Sequence, residues 1–488
     1  MELKKKFARN IGSGSLAKIA QSLIGFLLIT YVIKSVGIEK WGILTLSVSV
    51  ISLLSIIQAG ISGGTSKRLS DYFYSDDFEN FNKYYSGTLL VIYFLVILIA
   101  AILLLYAYFF LPSFVDEDVI TLKYVFYLTT ISTLLQIFKL PFIATLQALN
   151  RVDIIANIMT LGFVFRTLLV LTLFLLYKTI VMYSFILVLE FGLHVFLTRY
   201  YTKKHTGDFL KINFKEIEIS YLLEIFRFNI YNFLNSLNYV FFVQLPSLIV
   251  ASRYGLTFSG YYGLGVQLNN LFRGFLNILS NAMRPVFNIL KTKNKIEELK
   301  KYFNLSNKLF FIVGVGVVVL SSIFIEDILI IWLGEEVNKD LVDFIQYFLI
   351  FTAIGILFIP SALLIITFEK LKFTTFLGLF LSGLCGCILY FFDSPISHYV
   401  FVPLVITVLF LIYNLNRMVI IFKLLEMTFY NNLRLFTYTV LTAGSILAYK
   451  LNFNIGYDYI FLILIYSLSS LFLLKKEDYH ILKSLFKK

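Results

Sequence analysis

Hydrophobic residues in this chain come in long unbroken runs, each closed by a short polar stretch. Fourteen of these runs have the length of a membrane span, about 20 residues. They lie at about 12–34, 41–64, 86–110, 119–140, 154–176, 179–199, 223–250, 258–285, 304–333, 341–366, 373–392, 399–421, 433–451 and 458–474. Barrel strands would alternate over about ten residues instead. The thinnest separation is between the fifth and sixth runs, where only Tyr177 and Lys178 intervene. The pattern predicts an all-α membrane protein with about 14 transmembrane helices.

One stretch departs from the rest. Gly260–Leu290 is apolar in bulk, yet Gln267, Asn270, Arg273, Asn277, Asn281 and Arg284 recur at steps of three or four. At 100° per residue they share an arc of about 120°, over about 25 Å of helix. Asn288 continues that face. An arginine at the bilayer centre costs about 2.5–3.5 kcal/mol on insertion scales. The stripe is therefore expected to face other helices or a wet cavity, as one wall of a substrate pathway. On the seventh run Asn229, Asn232, Asn235, Ser236 and Tyr239 share an arc. That face suits sugar hydroxyls and interhelical hydrogen bonds equally well.

Two longer polar connectors, Arg199–Leu222 and Phe287–Phe303, read as interfacial amphipathic segments. They divide the chain into an N-terminal six-helix bundle (1–199), a cytoplasmic connector (200–222), a C-terminal six-helix bundle (223–421) and two further helices with a basic tail (422–488). An internal echo supports a parallel duplication. The first hairpin, SVGIEKWGIL, carries Gly37 and Gly42; the hairpin RYGLTFSGYYGL carries Gly255 and Gly260. An Asn-Ile pair precedes each, at Asn10 and Asn229.

Composition agrees. Of 488 residues 59% are hydrophobic and 15% charged, with a net charge of +13; soluble domains carry about a quarter charged residues. Summed over alternate loops, Lys and Arg divide 26 to 6 in favour of the side holding the N-terminus. Both termini are thus expected in the cytoplasm. The positive charge reflects orientation and does not call for nucleic acid. Cys385 and Cys387 lie within one span and read as small core residues. The N-terminus shows no signal-peptide cleavage site, so the first span is expected to be retained.

Signs of catalysis are lacking. Gly12–Lys18 (GSGSLAK) superficially resembles a phosphate loop but lacks the final G-K-S/T arrangement. No metal-ligand spacing occurs, and no loop is long enough for a soluble catalytic domain. The chain is expected to be a transporter with no cofactor, driven by an ion gradient.

Several charges lie inside spans. In spans seven to twelve the acids Glu224, Glu326, Asp327, Asp343 and Glu369 all fall near span ends. Arg273 therefore needs water, an anionic ligand or neighbouring carbonyls and amides. Arg284 is nearer the cytoplasmic edge and can snorkel. Lys18 shares a face of the first span with Gly14, Gln21, Ser22 and Gly25; phosphate contact and snorkelling both remain open. Arg166 and Glu190 fall at similar depth on consecutive spans, with His194 one turn from Glu190. They are either a static pair or a site for a coupling proton or sodium ion.

The fourteen spans, the G-I-E-K-W-G hairpin, QAGISGGTSKRLSDY, QALNRVD and M-R-P-V-F-N-I-L followed by K-I-E-E-L-K-K-Y resemble the polysaccharide (O-antigen, Wzx-type) flippases of the multidrug/oligosaccharidyl-lipid/polysaccharide (MOP) exporter superfamily. Gln58 stands where the resemblance would lead one to expect an acid, so no role passes to it. The resemblance implies an undecaprenyl-diphosphate-linked oligosaccharide carried across the bacterial inner membrane. Lys18, Arg273 and Arg284 would then hold the diphosphate, and Gln267, Asn270, Asn277 and Asn232 would meet the sugars. Glu190, His194 and Arg166 would couple the ion. Membrane lipid, a polysaccharide polymerase and a chain-length regulator are the further partners it implies. A multidrug exporter of the same superfamily is the principal rival; a membrane glycosyltransferase or polymerase and a non-transporting assembly component are others.

Overall fold

A computed structural model describes residues 21, 24–25, 27–52, 65–66, 68–109, 118–214, 238, 240–334, 337–368, 370–393 and 396–427. The described residues are almost entirely helical. Eight helices among them are long and apolar enough to cross a membrane. The chain divides into two compact units, Met1–Gly263 and Leu264–Lys488.

In the first unit α1 (Leu27–Val36) and α2 (Ile38–Ser52) reverse at Gly37. Its φ of 85° is one that side-chain-bearing residues rarely adopt. Asp77 starts α3 (Phe78–Phe109), accepting hydrogen bonds from the Asn80 backbone at 3.1 Å and side chain at 2.7 Å. The Asn80 side chain, with its backbone N–H, holds the Asp77 carboxyl below the usual carboxylate range. Further along α3, Phe94, Ile97, Leu104 and Leu105 are exposed, as a lipid-facing helix requires.

The fourth predicted span is longer than expected and broken. α4 (Val119–Phe138) gives way at Lys139 to α5 (Leu140–Ala148). Pro141 has no N–H to continue the ladder. The fifth and sixth spans, α6 (Val152–Tyr177) and α7 (Ile180–Thr206), are separate helices. Lys178 turns the chain with a positive φ of 44°, and Thr179 Oγ1 caps α7 by accepting from Met182 N at 3.2 Å. A π-helical turn interrupts α6 at Val170–Phe174.

α7 runs past the expected boundary at 199. The segment after it does not behave as an interfacial helix in its described part. Asn82 on α3 donates to the Phe209 carbonyl at 2.8 Å and accepts from Lys211 N at 3.1 Å. Phe209 sits among Phe73, Phe78 and Phe81. Hydrogen bonds and aromatic burial draw this connector onto the protein.

α8 (Val240–Tyr254) and the start of α9 (Leu256–Thr292) reverse at Gly255, φ 88°. The two glycine hairpins pack reciprocally. A Cβ on Gly42 would collide with the Leu256 carbonyl, and a Cβ on Gly260 with the Ile38 carbonyl. Farther along, Gly263 meets the Thr45 hydroxyl. Ser49 and Ser247 are hydrogen-bonded at 2.8 Å. Small residues let helix backbones approach closely where no side chain intervenes.

The second unit holds the rest of α9, α10 (Ile296–Leu309), α11 (Ile325–Leu333), α12 (Lys339–Leu357), α13 (Ile359–Thr367), α14 (Leu371–Phe391) and α15 (His398–Leu424). The expected connector Phe287–Phe303 is instead two helix ends joined by a tight turn, with Asn294 at φ 52°. Phe287, Leu290, Leu299 and Phe303 are buried against Leu364, Ile365, Ile421 and Phe422. Their apolar face is covered by protein rather than lipid. α12 is buried along most of its length, from Phe344 to Leu357. It breaks at Phe358 before Pro360, as α4 breaks at Lys139 before Pro141.

Candidate functional site

Four ionisable side chains converge inside the first unit. α6 and α7 run antiparallel and pack together, so residues one turn apart on each meet in order. Arg166 lies opposite Glu190, with Nη1 donating to Oε2 at 3.2 Å. One turn away, Gly162 lies opposite His194, whose imidazole occupies the space a Cβ would need. Glu190 is 5% exposed and His194 3%. Among the described residues neither His194 ring nitrogen has a hydrogen-bond partner, and neither has Arg166 Nε.

The fourth member is Lys139, at the break between α4 and α5, 7% exposed. Its ammonium lies 5.3 Å from the centre of the Phe191 ring, while Arg166 lies 5.1 Å from that of Phe163. These are cation–π distances. Lys139 and Arg166 both act electrostatically on Glu190 and on His194, and Tyr183 lies in the field of Arg166 and Glu190. Tyr183 also packs on Trp41, with centroids 6.3 Å apart. Gln21 donates to Thr160 Oγ1 at 2.7 Å, and a Cβ on Gly25 would stand 3.9 Å from Arg166 Nη2. Gln21 and Gly25 of the first span thus lie against α6 beside the cluster.

Sequence reading placed Arg166, Glu190 and His194 together and overlooked Lys139. It had been absorbed into the end of a span. The Leu140-Pro141 that follows was the available signal, since a proline breaks the helix ladder and marks Lys139 as lying at a break inside the span.

The α9 stripe is less uniform than its periodicity. Asn270 is exposed, and Asn269 beside it is fully buried. Gln267 is half-buried, with Oε1 buried and lacking a hydrogen-bond partner among the described residues. Arg273 is half-buried, its guanidinium lying across Gly355 of α12. Asn288 accepts from Thr367 Oγ1 at 2.9 Å. The described stripe residues thus differ in exposure, and α9 packs on α12 where Gly265 meets Phe344 and Phe348 and Arg273 meets Gly355. The side chains of Asn277, Asn281 and Arg284, and all of Lys18 and Asn232, lie outside the described residues.

The fold is that of MOP-superfamily transporters. An inward-facing multidrug resistance MATE family transporter of that superfamily aligns with a TM-score of 0.70 at 14% identity, over 84% of this chain and 99% of its own. An outward-facing multidrug resistance MATE family transporter aligns at 0.60 and 14%, over 85% and 94%. A Pyrococcus furiosus MOP transporter, described as having a binding pocket of reverse polarity suggesting a different function, aligns at 0.59 and 14%, over 85% and 94%. No curated protein matches the sequence.

These findings correct the expected Wzx-type branch. The similar structures are multidrug resistance MATE transporters and another MOP transporter, none described as a Wzx-type flippase, and what the likeness shows is the fold. A family described as "Polysaccharide biosynthesis protein" matches residues 7–291. The chain belongs to the polysaccharide biosynthesis protein family, and it is a multi-pass helical membrane protein.

Proposed function

We propose that this protein is an ion-gradient-driven exporter that moves an organic solute across the membrane by alternating access. The Arg166–Glu190 pair, buried with His194 between membrane-spanning helices, carries the reading. Ionisable groups at such depth are costly and mark ion or substrate pathways. Glu190, assisted by His194 and Arg166, is the group through which a proton or sodium ion acts. The likeness to multidrug transporters supports an exporter of amphipathic solutes. In liposomes a cationic dye such as ethidium should be moved by wild type under an imposed proton or sodium gradient. Glu190→Gln should abolish movement without loss of folded protein. Full-rate transport by Glu190→Gln would remove the coupling role, and no dye movement by wild type would remove the multidrug cargo.

A second reading is favoured by the family match over residues 7–291. Its cargo is a lipid-linked oligosaccharide carried from the cytoplasmic to the periplasmic leaflet of the inner membrane, with both termini cytoplasmic. Lys18, Arg273 and Arg284 serve the diphosphate, and Gln267, Asn270, Asn277 and Asn232 serve the sugars. Arg273→Ala and Lys18→Ala should then stop surface polysaccharide assembly while the protein still reaches the membrane. Normal polysaccharide in both variants rejects this cargo.

A further inference from the structure

We infer that Lys139, Arg166 and His194 form an oxyanion site in the first unit, for a carboxylate or phosphate group, and that sodium does not bind there. The inference deepens the proposed function, narrowing its coupling ion at Glu190 from proton or sodium to the proton, and rests on the cluster being part of the transport pathway rather than a static brace.

Charge comes first. Lys139 and Arg166 stand against one carboxylate, Glu190, and the imidazole of His194 brings no negative charge. Arg166 is committed to Glu190 through Nη1. Lys139 makes no ion pair among the described residues and rests on the Phe191 ring. A surplus positive charge inside a helical bundle is stabilised by an anion and made worse by a metal cation.

Donor chemistry agrees. A hard cation needs several oxygen ligands. The charged groups gathered around Glu190 are nitrogen donors instead. Arg166 Nε and both nitrogens of His194 are buried without a hydrogen-bond partner among the described residues, and an imidazole always has at least one N–H to donate. Lysine adds three donors. A guanidinium edge and an ammonium are the groups that bind carboxylate and phosphate oxygens. The Gly162 backbone against His194 fixes the imidazole beside them. Nothing in the sequence reading had assigned Lys139.

The full-length Trp332→Phe protein, in nanodiscs of zwitterionic phosphatidylcholine, leaves Trp41 beside Tyr183 as sole tryptophan reporter. Inorganic phosphate, titrated at constant ionic strength, should change Trp41 emission saturably and raise Tm. Lys139→Gln should weaken the response at least tenfold, and Lys139→Arg should retain it. Replacing choline by sodium at fixed phosphate should change nothing. Should Lys139→Gln fail to fold, His194→Phe takes its place, keeping the ring and removing its nitrogens. A second arm exchanges part of the lipid for phosphatidylglycerol. A rise in Tm there that Lys139→Gln loses, with free phosphate adding little, makes a lipid headgroup the source of the oxyanion. Equal responses in wild type and Lys139→Gln, no response to either probe, or a saturable sodium effect lost in Glu190→Gln overturns the oxyanion site. A transport defect in Glu190→Gln without any phosphate response leaves the exporter reading standing and removes this inference alone.

Discussion

The imidazole of His194 rests on the bare backbone of Gly162, one helical turn from the Arg166–Glu190 pair. The contact fixes the ring from one side, because Gly162 has no side chain to hold it away. Gly162→Ala would drive a methyl into the ring. Overpacking of this kind costs about 1–3 kcal/mol. The expected result is a lower Tm for Gly162→Ala, largely restored by adding His194→Ala. A double-mutant cycle measures the coupling, and additive effects would show that the two residues do not share the contact.

The Arg166–Glu190 pair makes a second prediction. Removing one partner strands a buried charge, at about 3–5 kcal/mol. Replacing both by apolar residues of similar size is often neutral. Arg166→Met and Glu190→Leu should each lower Tm more than the double variant does. A double variant as unstable as the worse single one would mean that the pair is not the contact being broken.

The glycine hairpins supply a contrast within the first unit. A Cβ on Gly42 or Gly260 meets a backbone carbonyl, which cannot move aside alone, whereas a Cβ on Gly192 of α7 meets nothing within 4 Å. Gly192→Ala should be neutral to stabilising, by up to about 1 kcal/mol from helix propensity. Gly42→Ala and Gly260→Ala should each destabilise by at least the 1–3 kcal/mol of overpacking. Thermal unfolding of the three variants in one lipid tests the ranking.

Gly355 separates packing from function for Arg273. A Cβ there would stand 2.5 Å from Arg273 Nη2, the far end of a flexible side chain. Gly355→Ala should therefore shift the guanidinium at modest cost, under about 1.5 kcal/mol. If Arg273 serves cargo, this variant should keep its Tm near wild type and lose transport in the assay that Arg273→Ala fails. Unchanged transport would assign Arg273 to helix packing.

Much of the fold was legible because lipid is a strict solvent. Every backbone polar group must be satisfied inside it, so continuous apolar runs become helices. The break between α6 and α7 needed only Tyr177, Lys178 and the capping Thr179. The glycine echo was readable too, since Gly37 and Gly255 both adopt positive φ. The repeat could have been followed further. Pro141 and Pro360 break their helices at an offset of 219 residues, close to the 218 that separates Gly37 from Gly255. That spacing would have drawn attention to Lys139.

By itself the sequence determined the long apolar helices and set Arg166 and Glu190 at matching levels on neighbouring ones, because period and hydropathy are local properties of a chain in a membrane. Tertiary structure decided which polar groups share a pocket. It brought Lys139 across from another helix, exposed Asn270 while burying Asn269, and turned Phe287–Phe303 from a presumed surface connector into core. Those outcomes depend on close approach between helices, where a glycine instead of a side chain moves a backbone by ångströms, and no periodicity along one helix records the shape of its neighbour.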